Sequence, residues 1–234
     1  MRRTYLFWDI DGTLLSTARA GVFAWEEAIR VVLGVEPDMA AMRTAGLTDA
    51  EIAVTIAAAY GDRSTEAAVQ LLSRYAEYLP ERLGWRRGQV LPNVRENLEA
   101  LAARDDVVNM LLTGNVAAGA EAKLRHYELW EFFGAGGAFS VEGSDRPSIA
   151  REARELAARH GGEDPPGTRM VVIGDTPHDI ACGKAIGART LAVATGPGYS
   201  LDELRSCEPW SAVPELPAPD VFAAAILVPQ NPAG

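Results

Sequence analysis

Short apolar runs alternate with segments of helical periodicity along much of the chain. The first run, Tyr5 to Trp8, is β-prone and ends at Asp9-Ile-Asp-Gly-Thr-Leu, in which the Gly-Thr pair is typical of a turn just past a strand. A similar alternation of strands and helices follows Pro92. The elements predicted there are helix 93–104, strand 107–112, helix 117–127, helix 148–160, strand 170–173, helix 180–186, strand 190–194, a strand or loop at 209–219, and a last helix, 220–227. This alternation predicts an α/β core with a parallel sheet.

The stretch between the first strand and residue 88 is predicted to be helical throughout. Its helices are expected at 17–33, with Gly34 as a C-cap; at 48–59, capped by Thr48; and after Ser64, with Val69, Leu72, Tyr75 and Leu79 on one face. Because the first strand belongs with the later ones, this stretch is predicted to be an insertion that leaves and rejoins the core. We therefore expect a core of residues 1–15 and 89–234 and a helical domain of residues 16–88.

Composition and charge narrow the range of partners. The chain has 234 residues, of which 48% are hydrophobic and 23% charged, and its formal net charge is -10. A negative charge does not attract nucleic acid or anionic membranes, so neither partner is expected. The two cysteines, Cys182 and Cys207, have no metal-ligand spacing, and the apolar run Val221 to Val228 is too short to span a membrane. These features predict a cytoplasmic protein.

Polar residues follow each predicted strand, where a parallel sheet binds its ligands. They are Asp9 and Asp11 after the first strand, Thr113, Gly114 and Asn115 after the second, Asp175 with Asp179 after the third, and Thr195 and Gly196 after the fourth. Clustered carboxylates repel one another unless they share a cation, and a set of oxygen ligands suits Mg²⁺ together with a substrate phosphate. Thr113 and Gly114, at the start of a helix, offer a hydroxyl and backbone N–H groups to an anion. The pattern predicts metal-assisted phosphoryl chemistry.

These residues resemble those of the haloacid dehalogenase-like hydrolases, most closely their phosphoglycolate-phosphatase-like branch with a helical cap. The resemblance covers nearly the whole chain. It rests on three motifs in the family's order: Asp9-Ile-Asp-Gly-Thr-Leu as the first, Leu112-Thr-Gly-Asn as the second, and Gly174-Asp-Thr-Pro-His-Asp as the fourth.

The resemblance implies Mg²⁺-dependent hydrolysis of a small phosphorylated metabolite through an aspartyl-phosphate. Asp9 would be the nucleophile, Asp11 the general acid and base, and Thr113 a phosphate ligand. The implied metal ligands are Asp9, Asp11 through its backbone carbonyl, Asp175 and Asp179, and the implied substrate contacts are Gly12, Thr13, Gly114 and Asn115.

The inserted helical domain would then be a cap that closes over the site. Its Gly46-Leu-Thr-Asp segment resembles a cap motif of the family. Asp49 in this segment either touches the substrate or is an ordinary acid in the first turn of a helix. The residue after the glycine is often basic in the family and is Leu47 here, which argues against a strongly anionic substrate tail.

The family's third motif, normally a lysine, departs from the pattern. Neither Lys123 nor Lys184 lies in the expected stretch, and replacement of either by alanine is expected to cost far less activity than replacement of Arg146. Arg146 does lie there, ahead of a helix that Pro147 can start, and an arginine keeps the positive charge although its geometry differs from that of lysine. The alternative is that Arg146 is an ordinary surface arginine.

Other functions remain as alternatives. A phosphosugar mutase shares Asp9 and Asp11 and differs mainly in the cap, and a non-catalytic phosphometabolite-binding protein could keep the pocket. A dehalogenase is disfavoured, because it would need neither Asp11 nor Asp175. A Rossmann dehydrogenase is disfavoured as well, because acids and not a glycine-rich loop follow the first strand. Oligomeric state is left open, with a homodimer as one option.

Overall fold

A parallel sheet forms the centre of the core. The computed structural model describes residues 3–42, 44 and 46–227. Within these residues the strands are β1 (Thr4–Trp8), β2 (Leu15–Ser16), β3 (Gln89–Val90), β4 (Val107–Leu112), β5 (Gly137–Ala138), β6 (Met170–Gly174), β7 (Arg189–Val193) and β8 (Ser211–Val213). Six of them pair in parallel in the order β5-β4-β1-β6-β7-β8. The predicted α/β class with a parallel sheet is confirmed.

Helices cover both faces of this sheet. Within the described residues the α-helices are α1 (Ala20–Leu33), α2 (Asp49–Ala59), α3 (Thr65–Leu83), α4 (Val94–Ala102), α5 (Ala117–His126), α6 (Arg146–Gly161), α7 (Pro177–Ala185), α8 (Leu201–Ser206) and α9 (Pro219–Leu227). Side chains of β1 alternate between the two faces: Trp8 packs with α4, α5 and α9, whereas Phe7 packs with α6 and α7. Because both faces are covered, all five residues of β1 are buried, as is usual for a central parallel strand.

The inserted helices have a hydrophobic core of their own. α1, α2 and α3 pack together, and Trp25 of α1 stacks on Tyr75 of α3 with ring centroids 4.1 Å apart. The predicted inner face of α3 is partly wrong, because Val69 is 45% exposed whereas Leu71 is fully buried. The buried face of α3 includes Leu71, four residues before Tyr75. On this face Ala67 and Ala68, and not Val69, pack against the neighbouring helices.

Two short strands mark both ends of the insertion. β2 and β3 form an antiparallel ribbon in which Leu15 pairs with Val90 and Ser16 with Gln89. The sequence predicted residues 16–88 to be helical throughout, and it missed this ribbon because two-residue strands carry no periodicity. It also missed β5, of two residues, and α8, of six, while the strand or loop expected after Pro209 contains β8.

No described helix is long and apolar enough to cross a membrane. The predicted core also includes residues 1, 2 and 228–234, which lie outside the described residues. Val228, the last residue of the apolar run noted in the sequence, is one of them.

Candidate active site

The carboxyl ends of three neighbouring strands form the floor of the site. β1 lies between β4 and β6, and Trp8 is in register with Leu111 on one side and Ile173 on the other. Asp9, Thr113 and Asp175 each follow one of these strands and are therefore brought to one edge of the sheet.

Three buried carboxylates cluster at this edge. Asp9, Asp175 and Asp179 each have an oxygen within 4.8 Å of the others, and none is more than 5% exposed. Burial, reinforced by the neighbouring carboxylates, raises the pKa of Asp9 to about 7 and that of Asp175 to about 9. The cluster thus resists carrying its full negative charge without a shared cation.

The donor set fits Mg²⁺, because it consists of carboxylate oxygens and no softer ligand. Asp179 is the least available of the three: Thr176 donates to its Oδ2 from the backbone N at 3.0 Å and from the hydroxyl at 2.7 Å, and Arg146 donates to its Oδ1 at 3.2 Å. Asp9 and Asp175 therefore have more free acceptor capacity for a cation, and Asp179 mainly orients the residues around them.

Gly12 and Thr13 hold Asp175 in place. The Thr13 hydroxyl donates to Asp175 Oδ1 at 3.3 Å, and a Cβ at position 12 would collide with the same carboxylate. Gly12 also has a φ of 82°, which favours glycine. These two residues, predicted to contact substrate, thus contact a candidate metal ligand.

Arg146 is the cation nearest to Asp9. It is the first residue of α6, which begins behind the capping residue Asp145, and its guanidinium Nη1 lies 3.9 Å from Asp9 Oδ1. Its Nε donates to the carbonyl of Gly46 at 3.2 Å. Burial acts to lower the pKa of Arg146, but the carboxylates of Asp179 and Asp9 outweigh it and the net shift is upward. Since Arg146 is only 8% exposed, the alternative of a surface arginine is wrong.

Lys123 is a second buried cation in the site, which the sequence analysis missed. Its Nζ donates to Asp11 Oδ2 and to Asn115 Oδ1, both at 2.5 Å. Asn115 in turn donates from Nδ2 to Asp11 Oδ2 at 2.9 Å and to the Thr113 hydroxyl at 2.8 Å. Burial acts to lower the pKa of Lys123, but the neighbouring carboxylates of Asp11 and Asp49 raise it by more, so the net shift is upward.

A helical signal could have revealed this lysine. The buried residues of α5 are Gly119, Ala120, Lys123 and Leu124, which recur at the spacing of one helix face. That stripe places Lys123 on the face that packs against the core, not on the solvent side.

The segment 46–50 of the insertion contacts the strand ends. The Asp49 backbone N donates to the carbonyl of Gly114 at 2.7 Å, and the Ala50 backbone N donates to the Ser140 hydroxyl at 3.2 Å. The Asp49 carboxylate accepts from the Val116 backbone N at 2.8 Å, at the start of α5. Burial raises the pKa of Asp49 to about 6. Asp49 is therefore both a first-turn acid of α2 and a contact between insertion and core.

A cavity of about 680 Å³ lies between the insertion and the strand ends. The core contributes Asp9, Asp11, Gly114, Asn115, Lys123, Arg146 and Asp175 to its wall. Thr113 is fully buried beneath this wall, where its hydroxyl accepts a hydrogen bond from Asn115 Nδ2 at 2.8 Å. The side chain of Asp11 is 44% exposed, so it can reach a bound molecule.

The parallel sheet carries a buried cluster of acids at its strand ends, and the inserted helices cover this cluster. Residues 6–184 match the model of the haloacid dehalogenase-like hydrolase family, and the chain belongs to this family. The resemblance stated from the motifs is thus confirmed. No curated protein matches the chain at a significant level.

Solved structures share the fold at low sequence identity. A predicted phosphoglycolate phosphatase from Haemophilus somnus is 17% identical with a TM-score of 0.71, covering 96% of this chain and 99% of its own. CbbY from Rhodobacter sphaeroides, solved in complex with phosphate, is 17% identical with a TM-score of 0.71, covering 91% and 94%. A putative beta-phosphoglucomutase from Bacteroides vulgatus is 19% identical with a TM-score of 0.68, covering 97% and 89%.

Proposed function

We propose that the protein is a Mg²⁺-dependent phosphatase that hydrolyses a small phosphomonoester through an aspartyl-phosphate on Asp9. The observation that carries this proposal is the position of Asp9. Its carboxylate lies at a strand end beside two other carboxylates and 3.9 Å from a buried guanidinium, facing a cavity that Asp11 also lines. A carboxylate that could attack phosphorus, a fixed positive charge and a second acid thus lie close together, which supports the proposal.

Mg²⁺ bound by Asp9, Asp175 and the backbone carbonyl of Asp11, with Asp179 beside them, would neutralise charge on the carboxylates and on a substrate phosphate. Most of the catalysis of phosphoryl transfer comes from such positioning and charge stabilisation. Arg146 adds a positive charge close to Asp9 that does not depend on the metal. Gly114 and Asn115 line the cavity beside Arg146; Gly114 would approach the phosphate and Asn115 would bind it. Thr113, at the end of the strand next to that of Asp9, would help to position the phosphate.

In the first step Asp9 attacks phosphorus while the bond to the leaving oxygen breaks, and Asp11 gives that oxygen a proton. In the second step Asp11 takes a proton from the water that attacks the aspartyl-phosphate, which releases phosphate and restores Asp9. Lys123 and Asn115 hold Asp11 Oδ2, whereas Oδ1 has no hydrogen-bond partner among the described residues and is available for proton exchange.

Coverage of the site by the insertion favours small substrates. Residues 16–88 would act as a cap that opens for loading and closes for reaction, which excludes bulk water and folded phosphoproteins. The two cysteines are free, which supports the proposal that the protein works in the reducing cytoplasm.

The test is phosphate release from a panel of phosphorylated metabolites, with Mg²⁺ and with EDTA. Wild-type protein should release phosphate only with the metal, and Asp9→Asn should abolish release while leaving the circular dichroism spectrum unchanged. The matched control is Asp202→Asn, at a side chain 91% exposed on α8, which should retain full activity. An Asp9→Asn rate within about tenfold of wild type, or about 1.4 kcal/mol in the barrier, would exclude Asp9 as nucleophile.

A phosphosugar mutase is the second candidate, favoured by the structural likeness to the putative beta-phosphoglucomutase. The two activities differ in the acceptor of the phosphoryl group. Isomerised sugar phosphate without free phosphate would establish the mutase, and free phosphate in proportion to substrate consumed would establish the phosphatase.

A further inference from the structure

We infer that the leaving group of the substrate is neutral and largely apolar; this inference rests on the proposed phosphatase function and adds the class of phosphomonoester. It comes from the wall of the cavity that faces away from the strand ends. Trp25, Met39, Leu47 and Ile52 form much of this wall, and they come from separate segments of the insertion. Apolar side chains from several elements thus converge where the organic part of a phosphomonoester would lie.

The polar groups of the insertion inside this cavity are mostly engaged already. The Asp49 carboxylate accepts a hydrogen bond from the Val116 backbone N, and Tyr75, whose ring stacks on Trp25, is 1% exposed. Ser16, Thr17 and Thr44 add one hydroxyl each. A sugar would bury several hydroxyls against the apolar wall without partners, and each buried unpaired polar group is costly.

The distribution of charge disfavours an anionic leaving group. The two buried cations of the cavity, Lys123 and Arg146, lie on the core side and are paired with Asp11 and Asp179. Arg19 also lines the cavity, but its side chain is exposed and stands over the Phe23 ring, 5.8 Å from the centroid. Its charge is therefore solvated and gives little binding energy to a carboxylate.

The size of the cavity allows more than a two-carbon leaving group. About 680 Å³ falls within the range of roughly 300 to 1,000 Å³ usual for small-molecule sites. Part of that volume must hold the phosphate beside Asp9, and the remainder lies along the apolar wall. A hydrocarbon chain or ring attached to the phosphate matches both the space and its chemistry.

Binding of phosphonates to the wild-type protein in Mg²⁺, measured by calorimetry, tests the inference without turnover. Each buried methylene is worth about fourfold in affinity, so hexylphosphonate should bind on the order of a hundredfold tighter than ethylphosphonate. 5-Carboxypentylphosphonate, of similar length with a charged end, should bind at least about tenfold more weakly than hexylphosphonate. Equal affinities for the ethyl and hexyl compounds, or tighter binding of the carboxylate, would overturn the inference.

A charge placed on the apolar wall should reverse the preference. Leu47→Arg should weaken hexylphosphonate and tighten 5-carboxypentylphosphonate, each by about tenfold. Val54→Arg is the matched control, since Val54 is 59% exposed on α2 and should leave both affinities within about twofold of wild type. An unchanged ranking in Leu47→Arg would contradict the inference, and a gain of affinity cannot come from unfolding.

Phosphate release from ethyl and hexyl phosphate separates this inference from the proposed function. Phosphate release together with equal affinities for ethylphosphonate and hexylphosphonate would overturn only the inference of an apolar leaving group. Tight hexylphosphonate binding without release from either ester would overturn the phosphatase proposal and leave the apolar cavity standing.

Discussion

Replacement of Lys123 by methionine should lower kcat with little change in KM. Methionine has a similar length but cannot donate, so Asp11 and Asn115 would both lose an ammonium that lies 2.5 Å from their oxygens. Asp11 would then no longer be held where it exchanges protons with the leaving group and with water. KM should change little, because Lys123 is already occupied by residues of the protein rather than by the substrate.

The structure sets the magnitude of this effect. A hydrogen bond to a charged group is worth about 1.5 to 3 kcal/mol, and Lys123 makes two such bonds while only 4% exposed. Because the Asp11 side chain is 44% exposed, water replaces part of what it loses. We expect a loss of about 2 kcal/mol in the barrier, or roughly thirtyfold in kcat. Lys123→Arg should recover only part of this, because a planar guanidinium does not fit a site shaped for a compact ammonium.

The assay is steady-state phosphate release at saturating Mg²⁺, with Tm measured alongside. Lys184→Met is the matched control, since Lys184 is exposed and its Nζ donates to the Cys207 carbonyl on the surface. That variant should stay within about twofold of wild type. A Lys123→Met enzyme with normal kcat and normal Tm would refute the role given to this lysine.

Two further predictions concern the charges around Asp9. Arg146→Ala should reduce turnover by about a hundredfold to a thousandfold, the loss usual for one transition-state donor, and Arg146→Lys should restore part of the turnover in the same assay. Normal turnover of Arg146→Ala would show that Arg146 has no part in catalysis. For metal-free protein, the pKa values of about 7 for Asp9 and about 9 for Asp175 lie above their ordinary value of 3.8, so the folded state holds protons that the unfolded state has lost. Tm in EDTA should therefore fall from pH 5 to pH 8, and Mg²⁺ should raise Tm more at pH 8 than at pH 5; a Tm in EDTA that rises over this range would contradict the charge assignment.

The sequence predicts the sheet and its strand ends well, because the signals for them are local. The run from Tyr5 to Trp8 is followed at once by Asp9, and a parallel sheet places that carboxylate at the same edge as Asp175. That β1 and β6 are neighbours was not predicted and comes from the structure. Thr48 likewise caps α2 through a capping box with Glu51, a motif contained within four residues.

Contacts between distant segments are beyond such signals. Lys123 reaches Asp11 across 112 positions: the face of α5 on which it lies indicates burial, but no local signal identifies Asp11 as its partner. The contact of the Asp49 carboxylate with the Val116 backbone N is of the same kind. It depends on how the insertion lies against the core, and no local periodicity encodes that arrangement.

The ribbon of β2 and β3 has a consequence for how the helical insertion can vary. Residues 17–88 leave and return through neighbouring residues, since Ser16 pairs with Gln89. In topological terms these residues are the loop of a β-hairpin, whose ordinary length is about two to five residues. The entropic cost of closing a loop rises only with the logarithm of its length, so a hairpin stem can carry a whole domain at a modest extra cost. The insertion could therefore be replaced by a different domain without a shift in the register of the parallel sheet or in the positions of its strand-end carboxylates.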